Sequence, residues 1–405
     1  MIISNVIDRL SAKPLRAALS QFPVVVLTGA RQAGKTTLAR WLLPEAAYVS
    51  LDNPATGADA RLAPDDFLAS LSESAILDEV QYEPAIFRHV KLAVDRDRRP
   101  GRFLLTGSRS FELMAGATES LAGRAAVFTL PPLSVAEVLA SASRADTEAF
   151  LWRSGFPELW HRPDLDRDIW LGSYVATYLE RDVRQVVNVG DVRDFDRLLR
   201  ALALRAGQLL SYADVARDVG VAPNTIRRWL SVLEASQQIF LLEPYHRQRS
   251  KRLIKAPKLY FADTGLLCFL LGFRSAGDLA SHALWGAVWE NFVVSEVRKR
   301  LQATGRPPAI WFWRTAQGDE VDLLVETAPE TFAAIECKTT ELVDGRATKG
   351  LAKLAVEYGP QALCAARIAC RTERVYAVEV AGVSGARAVP VAGPGGLIDE
   401  LMEWV

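Results

Sequence analysis

The 405-residue sequence predicts a multidomain α/β protein with an N-terminal parallel sheet, a helical middle region and a second α/β domain. The length suits two or three domains of ordinary size. Short apolar runs alternate with amphipathic stretches at first, which is typical of a parallel sheet covered on both faces. Helical spacing then dominates, and strand-like runs return later. We therefore expect domains over residues 1–145, 146–279 and 280–405.

Composition and charge narrow the function classes. Hydrophobic residues make up 50% and charged residues 24%, as in ordinary globular proteins. The 48 basic residues balance 48 acidic ones, which excludes a protein that coats nucleic acid through bulk charge but allows a local basic face. Four cysteines without a CxxC pair argue against a zinc site and a disulfide scaffold. Without a signal-peptide-like or membrane-length apolar run, we expect a cytoplasmic protein that contacts no membrane.

The N-terminal domain contains five predicted strands, separated by amphipathic helices. The strands fall at residues 22–28, 48–51, 75–77, 103–106 and 126–130. The helices fall at residues 35–43 and 85–94, with a last one ending near residue 140.

A complete G-x-x-x-x-G-K-[ST] motif lies between the first strand and the first of these helices. Gly29 and Gly34 let the loop wrap so that its N–H groups converge on phosphate oxygens. Lys35 would reach the β- and γ-phosphates, and Thr36 would offer its hydroxyl to Mg²⁺. The sequence therefore predicts an ATP and Mg²⁺ site formed by Gly29, Ala30, Arg31, Gln32, Ala33, Gly34, Lys35, Thr36 and Thr37.

Two acidic residues, Asp78 and Glu79, end the third predicted strand. A strand-end aspartate is placed to hold Mg²⁺ through its water shell, and a neighbouring glutamate can take a proton from the attacking water. Solvated acids at an ordinary strand end are the alternative. The phosphate loop upstream favours hydrolysis.

Ser108 and Arg124 are further catalytic candidates. Ser108 follows the fourth strand and could touch the γ-phosphate or the water, although a simple turn explains it equally well. Arg124 precedes the fifth strand and could stabilise charge in its own chain or in a neighbouring subunit. The sequence therefore leaves open whether the protein forms a homo-oligomer.

These motifs resemble those of a known family. The runs LTGARQAGKTTLAR, ILDEVQ, FLLTGS and LAGR are similar to motifs of AAA-type ATPases whose C-terminal part is a domain of unknown function, DUF4143. Residues 178–182 (YLERD) and 257–265 (PKLYFADTG) resemble further hallmarks, so the resemblance covers nearly the whole chain. It implies that residues 29–36 bind nucleotide, that the two strand-end acids are the Walker B acids and that Ser108 is the sensor.

The middle region resembles a winged helix. Helices are predicted at residues 169–187, 192–206, 212–219 and 223–234, and a strand at residues 238–243. Two helices joined by a short turn at Gly220 form the helix-turn-helix pattern.

Basic residues follow that strand without an acid between Glu243 and Asp263. We expect this face to bind phosphates, of DNA rather than RNA. A protein-binding module and a plain solvated face are the alternatives. The DNA-contacting candidates are Arg227, Arg228, Arg247, Arg249, Lys251, Arg252, Lys255 and Lys258.

The C-terminal domain contains a candidate nuclease site. A helix is predicted at residues 285–301, and strands at residues 310–313, 320–326, 332–338 and 375–380. Glu336 and Lys338 lie two apart on a strand and therefore share a face. Asp322 and Glu336 could share a second divalent cation, Mg²⁺ or Mn²⁺, with Glu290 as a further ligand and Lys338 beside the attacking water.

This constellation resembles the D…ExK form of the PD-(D/E)xK nucleases, whose fold is restriction-endonuclease-like. An accidental pattern and a nuclease fold kept only for binding are the alternatives. Taken together, the sequence predicts Mg²⁺-dependent ATP binding and hydrolysis, coupled to DNA binding or processing. The competing interpretation is a signalling or scaffold ATPase that acts on protein partners through a non-catalytic nuclease-like fold.

Overall fold

The computed structural model describes residues 7–71, 73–108, 120–141, 146–179, 192–246 and 256–404. Three regions follow one another along the chain: a parallel sheet with its helices, a helical region with one hairpin, and a mixed sheet. No helix in these ranges is long and apolar enough to cross a membrane.

The N-terminal region forms a five-stranded sheet. Its strands are β1 (Val24–Thr28), β2 (Ala47–Ser50), β3 (Ala75–Asp78), β4 (Phe103–Gly107) and β5 (Ala125–Thr129). Its helices are α1 (Ala12–Leu19), α2 (Lys35–Leu42), α3 (Pro54–Leu62), α4 (Pro64–Ser70), α5 (Ile86–Arg96) and α6 (Val135–Ser141). The strands are parallel, in the order β2-β3-β4-β1-β5. The predicted parallel α/β fold is confirmed.

Alternate residues of β1 supply two cores, one on each face of the sheet. Val24 and Val26 pack with α5, whereas Val25 and Leu27 pack with α1 and α2. All four side chains are fully buried. Since neighbouring strand residues point to opposite faces, burial on both faces explains the unbroken apolar run of β1.

Helices α3 and α4 were not predicted. Each begins at a proline, Pro54 or Pro64, and Asn53 caps α3 through hydrogen bonds from two backbone N–H groups. Proline is well suited to the first helical position. Both helices are short, and α3 buries only Gly57 and Ala60, so hydrophobic periodicity gave no signal.

The middle region is helical with one antiparallel hairpin. Its helices are α7 (Thr147–Arg153), α8 (Pro157–His161), α9 (Arg167–Tyr174), α10 (Val192–Ala203), α11 (Tyr212–Val219), α12 (Pro223–Ala235), α13 (Thr264–Leu270) and α14 (Ala276–Ala280). The hairpin strands are β6 (Ile239–Leu242) and β7 (Lys258–Phe261). The helix predicted at residues 169–187 differs from the helix observed there. Helix α9 ends at Tyr174, and a π-helical turn, Val175–Leu179, follows it. Two helices and a hairpin in this order suit a winged helix, which stays a prediction.

The C-terminal region forms a six-stranded mixed sheet. Its elements are α15 (Trp285–Gln302), β8 (Ile310–Arg314), β9 (Glu320–Ala328), β10 (Thr331–Cys337), α16 (Lys349–Tyr358), β11 (Leu363–Ala369), β12 (Tyr376–Ala377), β13 (Arg387–Val389) and α17 (Leu397–Trp404). The sheet order is β12-β13-β11-β10-β9-β8, with β10 antiparallel to β9 and parallel to β11. The predicted strand at residues 375–380 is reduced to β12, while β11 and β13 were not predicted.

Helix α15 contacts all three regions. Its Glu296 accepts a hydrogen bond from the backbone N–H of Val135 in the N-terminal region, at 2.7 Å. Asn291 exchanges two hydrogen bonds with the backbone of Phe261 on β7. Trp289 donates its indole N–H to the backbone of β11 at 3.1 Å. Because these side chains are buried, α15 fixes the regions against one another.

The hairpin is also tied to the edge of the C-terminal sheet. Just after β6, the backbone oxygen of Glu243 accepts from the N–H of Phe312 at 3.1 Å, and Tyr245 donates to Phe312 at 2.6 Å. The Tyr245 ring then packs against Phe332, with their centroids 4.5 Å apart. The segment after β6 therefore pairs with β8 through an isolated bridge, while the hairpin itself remains a separate two-stranded sheet.

Replacing Gly265 tests how tightly the middle region packs. A Cβ at Gly265 would lie 2.5 Å from the Cα of Ser154. Gly265→Ala should therefore lower the free energy of unfolding by about 1–3 kcal/mol. Gly286 on α15 is the matched control, because a Cβ there would meet no atom of the described residues within 4 Å and alanine favours a helix by about 1 kcal/mol. Urea unfolding measures both variants, and equal stability of the two would contradict this packing.

Candidate functional site

The phosphate-loop motif lies between β1 and α2. Gly29 has a φ of +146°, and a Cβ there would lie 2.2 Å from the backbone oxygen of Leu130. Gly34, with a φ of +91°, precedes α2. Glycine is required at both positions, by close approach and by left-handed backbone. The buried Lys35 ammonium donates to the backbone oxygens of Gly29 and Ala30, at 3.0 and 2.9 Å.

The carboxylate of Asp78 is the centre of a polar network at the carboxyl edge of the sheet. Its Oδ2 accepts from Thr36 Oγ1 and from the Tyr48 hydroxyl, each at 2.8 Å, and its Oδ1 accepts from Thr106. Thr36 and Asp78 are the residues that the sequence predicted as Mg²⁺ ligands, and they lie in contact. A hydroxyl beside a carboxylate is an oxygen donor set that fits this ion.

Glu79 stands beside this network in a left-handed backbone conformation, with a φ of +55°. Its carboxylate accepts from the Gln81 amide and from Ser108 Oγ, the latter at 3.3 Å. Left-handed backbone at a residue other than glycine is costly and concentrates at functional sites. Because β4 lies between β1 and β3, Ser108 comes between the phosphate loop and the two acids.

Tyr48, Thr106 and Gln81 were not predicted as members of this site. Burial, helped by the neighbouring Asp78 carboxylate, raises the pKa of Tyr48 to about 12. A phenol is protonated at neutral pH in any case, and the raised pKa of Tyr48 extends its donation to Asp78 to more alkaline pH. Finding Tyr48 would have required the order of the strands, which the sequence does not give. Tyr48 lies near Asp78 only because β2 pairs with β3 in the folded sheet.

Arg124 lies at the opposite edge of the sheet from the phosphate loop. It immediately precedes β5, whose first residue pairs with Val24 at the start of β1, while the loop follows the end of β1. A strand of this length separates the two edges by roughly 15 Å. The guanidinium pairs with Asp95 at 2.6 Å, and this hydrogen bond lowers the Asp95 pKa. A catalytic role of Arg124 within its own chain is therefore wrong, while a role in a neighbouring subunit stays a prediction.

The four residues predicted as a nuclease site lie in one carboxylate cluster of the C-terminal region. Carboxylate oxygens of Glu290, Asp322 and the unpredicted Glu320 lie within 4.8 Å of one another. The antiparallel register of β9 and β10, extended by one residue, places Glu336 opposite Asp322. Lys338 Nζ lies 3.0 Å from Glu336 Oε2, so the two residues share a face as predicted.

Glu336 is buried, the other three carboxylates are partly buried, and the cluster carries excess negative charge. Burial, followed by repulsion from Asp322, raises the pKa of Glu336 to about 8 even though Lys338 lies beside it. The same two causes raise the pKa of Glu290 to about 7. Both carboxyls therefore bind protons in the neutral range.

Lys258, predicted to contact DNA, is buried in this cluster instead. Its side chain is 3% exposed, with Nζ 2.8 Å from Glu290 Oε1 and also paired with Glu320. The Tyr260 hydroxyl donates to the same Glu290 oxygen at 2.6 Å. The prediction for Lys258 is wrong, since its charge is enclosed and already paired. The Lys258 ammonium contacts two of the three carboxylates that could hold a second divalent cation, and that cation stays a prediction.

Two of the other predicted DNA contacts lie on the surface of α12. Arg227 and Arg228 are both exposed, and the Arg227 guanidinium lies 5.3 Å from the centroid of the Tyr212 ring. The remaining candidates lie outside the described residues: Arg247, Arg249, Lys251, Arg252 and Lys255.

Known families match most of the chain. Residues 21–139 match a family described as AAA domain, residues 144–277 match a domain of unknown function, DUF8612, and residues 285–390 match another, DUF4143. The uncharacterized protein Rv2008c of Mycobacterium tuberculosis is 39% identical over 337 residues, which cover 82% of this chain and 73% of that protein. The uncharacterized protein Mb2031c of Mycobacterium bovis matches to the same extent.

The chain belongs to the family of AAA-domain proteins that carry a DUF4143 domain. The resemblance predicted from its motifs is thus confirmed. Among solved structures, this AAA-domain protein is similar to a Walker-type ATPase of Pyrococcus abyssi, with 17% identity and a TM-score of 0.45. The match covers 65% of this chain and 96% of that chain. The protein is also similar to RuvB of Thermotoga maritima, with 20% identity and a TM-score of 0.28. That match covers 57% of this chain and 85% of RuvB.

The raised pKa values of the cluster predict a loss of stability as the pH rises. Glu336 has a pKa of about 8 when folded against an ordinary value of 4.5. The folded chain then binds more protons than the unfolded chain between these values, so the free energy of unfolding falls, by at most about 1.4 kcal/mol per pH unit for one group. Glu336→Gln cannot lose a proton and should flatten this fall.

Urea unfolding across roughly pH 5 to 8 measures the effect. The control is Glu330→Gln, a substitution on the loop between β9 and β10, outside the cluster. Wild type and Glu336→Gln losing stability in parallel would contradict the assignment of the raised pKa.

Proposed function

We propose that this AAA-domain protein is a Mg²⁺-dependent ATPase. The observation that carries the proposal is the 2.8 Å contact between Thr36 Oγ1 and Asp78 Oδ2. It joins the first turn of the helix after the phosphate loop to the acidic end of β3, which is where a nucleotide-bound Mg²⁺ needs oxygen ligands.

Each residue of the site has a separate role in this proposal. The backbone of residues 29–37 holds the phosphates, and Lys35 neutralises their charge. Thr36 and Asp78 would hold Mg²⁺, which when bound neutralises charge on the phosphate oxygens. Glu79 takes the proton of the attacking water, and Ser108 orients the Glu79 carboxylate through its hydrogen bond.

We assign the nucleobase to a cavity of about 130 Å³ beside the loop. Its walls include the apolar side chains of Ile7, Leu38 and Leu133, and its polar edge includes Glu158 and His161. The lining is mixed, because Arg9 and Gln32 add polar groups to those of Glu158 and His161, so apolar side chains could pack on the ring of a base while polar groups meet its nitrogens. Thr37 of the predicted ATP site also borders this cavity.

Coupling to DNA is a second function that one observation favours. Arg227 and Arg228 are exposed near the start of α12, and in the described part of the chain neither forms an ion pair with an acid. Free guanidinium groups on the second helix of a helix-turn-helix are suited to phosphates or base edges. The alternative, a signalling or scaffold ATPase, would use this face for a protein partner.

Two substitutions separate nucleotide binding from hydrolysis. Lys35→Ala removes a phosphate-paired ammonium and should weaken ATP binding. Glu79→Gln keeps the shape but cannot take a proton, so it should retain binding and reduce turnover by at least about 100-fold. Phosphate release and binding of a fluorescent ATP analogue measure the two effects.

Glu45→Gln is the control, because Glu45 is exposed in the same region and lies outside the site. It should leave both measurements unchanged. Equal turnover of wild type and Glu79→Gln would sink the assignment of the base.

The α12 arginines give a salt-dependence test. Replacing Arg227 and Arg228 by Gln should weaken binding to DNA of any sequence and reduce the slope of log K against log salt by about 2. The control carries the same charge change on α10, at Arg197 and Arg200, which are already paired with Asp194 and Asp196. An unchanged slope in the α12 variant would instead favour the protein-partner alternative.

A further inference from the structure

Lys258 belongs to the hairpin of the middle region, yet its ammonium lies among carboxylates of the C-terminal region. Nζ contacts Glu290 on α15 at 2.8 Å and also pairs with Glu320 on β9. It lies 5.6 Å from the centroid of the Phe312 ring on β8. An ammonium that is 3% exposed persists only when charge and hydrogen bonds compensate for the lost hydration.

The backbone around Lys258 is fixed on several sides. Leu209 forms a β-bridge with Lys258, and the backbone oxygen of Leu259 accepts from Gly207 N–H at 2.8 Å. On the same strand, Phe261 exchanges two hydrogen bonds with Asn291 of α15. The backbone of Lys258 is therefore held in place next to the cluster that its ammonium enters.

We propose that Lys258 is the resident cation of this cluster, which acts as an ionic lock between the hairpin and the C-terminal sheet rather than as a divalent-metal site. The ammonium and a divalent ion would compete for the same oxygens of Glu290 and Glu320. Arg314 and Lys338 supply further positive charge, at 3.1 Å from Glu320 and 3.0 Å from Glu336.

The lock rests on neither the ATPase nor the DNA proposal. Its consequence is that the nuclease-like cluster fastens the C-terminal region in place and performs no metal-dependent cleavage in the intact chain.

Mn²⁺ binding to the nucleotide-free, full-length protein tests the lock, with electron paramagnetic resonance counting bound ions. Wild type and Glu320→Gln should bind the same number of ions, because the cluster of the wild type already holds its cation. One ion fewer in Glu320→Gln would overturn the proposal.

Removing the ammonium should open the site. Lys258→Met should bind one Mn²⁺ more than wild type, because the carboxylates of Glu290 and Glu320 no longer contact an ammonium. Lys299→Met is the matched control, because the Lys299 side chain is equally buried, at 3% exposed, but pairs with the single carboxylate of Glu296. It should gain no ion. A folded Lys258→Met without an additional ion, or an equal gain in both variants, would overturn the proposal.

A charge-compensation test applies if Lys258→Met fails to fold. Adding Glu290→Gln removes one of the carboxylates that the ammonium neutralised, so the double variant should fold and unfold at a higher urea concentration than the single variant. A midpoint no higher than that of Lys258→Met would contradict a lock based on charge.

Discussion

The N-terminal region depends on one carboxylate, that of Asp78. It accepts hydrogen bonds from hydroxyl groups on three separate elements: Tyr48 on β2, Thr36 on α2 and Thr106 on β4. These elements meet only because β4 is inserted between β1 and β3 in a parallel sheet, whose carboxyl ends share one edge. Burial of Asp78 makes each of these bonds costly to lose, so the sheet order and the candidate nucleotide site stabilise each other.

A second set of buried polar contacts connects the phosphate loop to the rest of the molecule. Arg9 donates to the backbone oxygen of Ala33 in the loop at 2.8 Å and pairs with Glu137 on α6 at 3.1 Å. At the start of the same helix, the N–H of Val135 is held by Glu296 on α15. Buried polar contacts therefore connect the phosphate loop to α6 and α6 to α15. Helix α15 also carries Glu290, a carboxylate of the C-terminal cluster. A side chain of the middle region closes that cluster, so all three regions form one connected structure.

The sequence predicted what local patterns determine. Unbroken apolar runs indicated β1 and β3, and the spacing of the motif placed Lys35 and Thr36 at the start of α2. Strand order and the final position of each side chain are not determined locally. The partners Tyr48 and Glu320 were therefore missed, and the distance of Arg124 from the phosphate loop could not be predicted. Charge alone likewise suggested an exposed Lys258, although the neighbouring apolar residues of β7 indicate a buried strand.

The central claim is that the Thr36–Asp78 contact belongs to a Mg²⁺-dependent ATPase site. Steady-state phosphate release by the purified wild-type chain, with Mg²⁺ and then with excess EDTA, tests it most directly. The account predicts release that saturates with ATP and stops when EDTA removes the metal. Bound ATP without any phosphate release in the presence of Mg²⁺, or release that EDTA leaves unchanged, would contradict it.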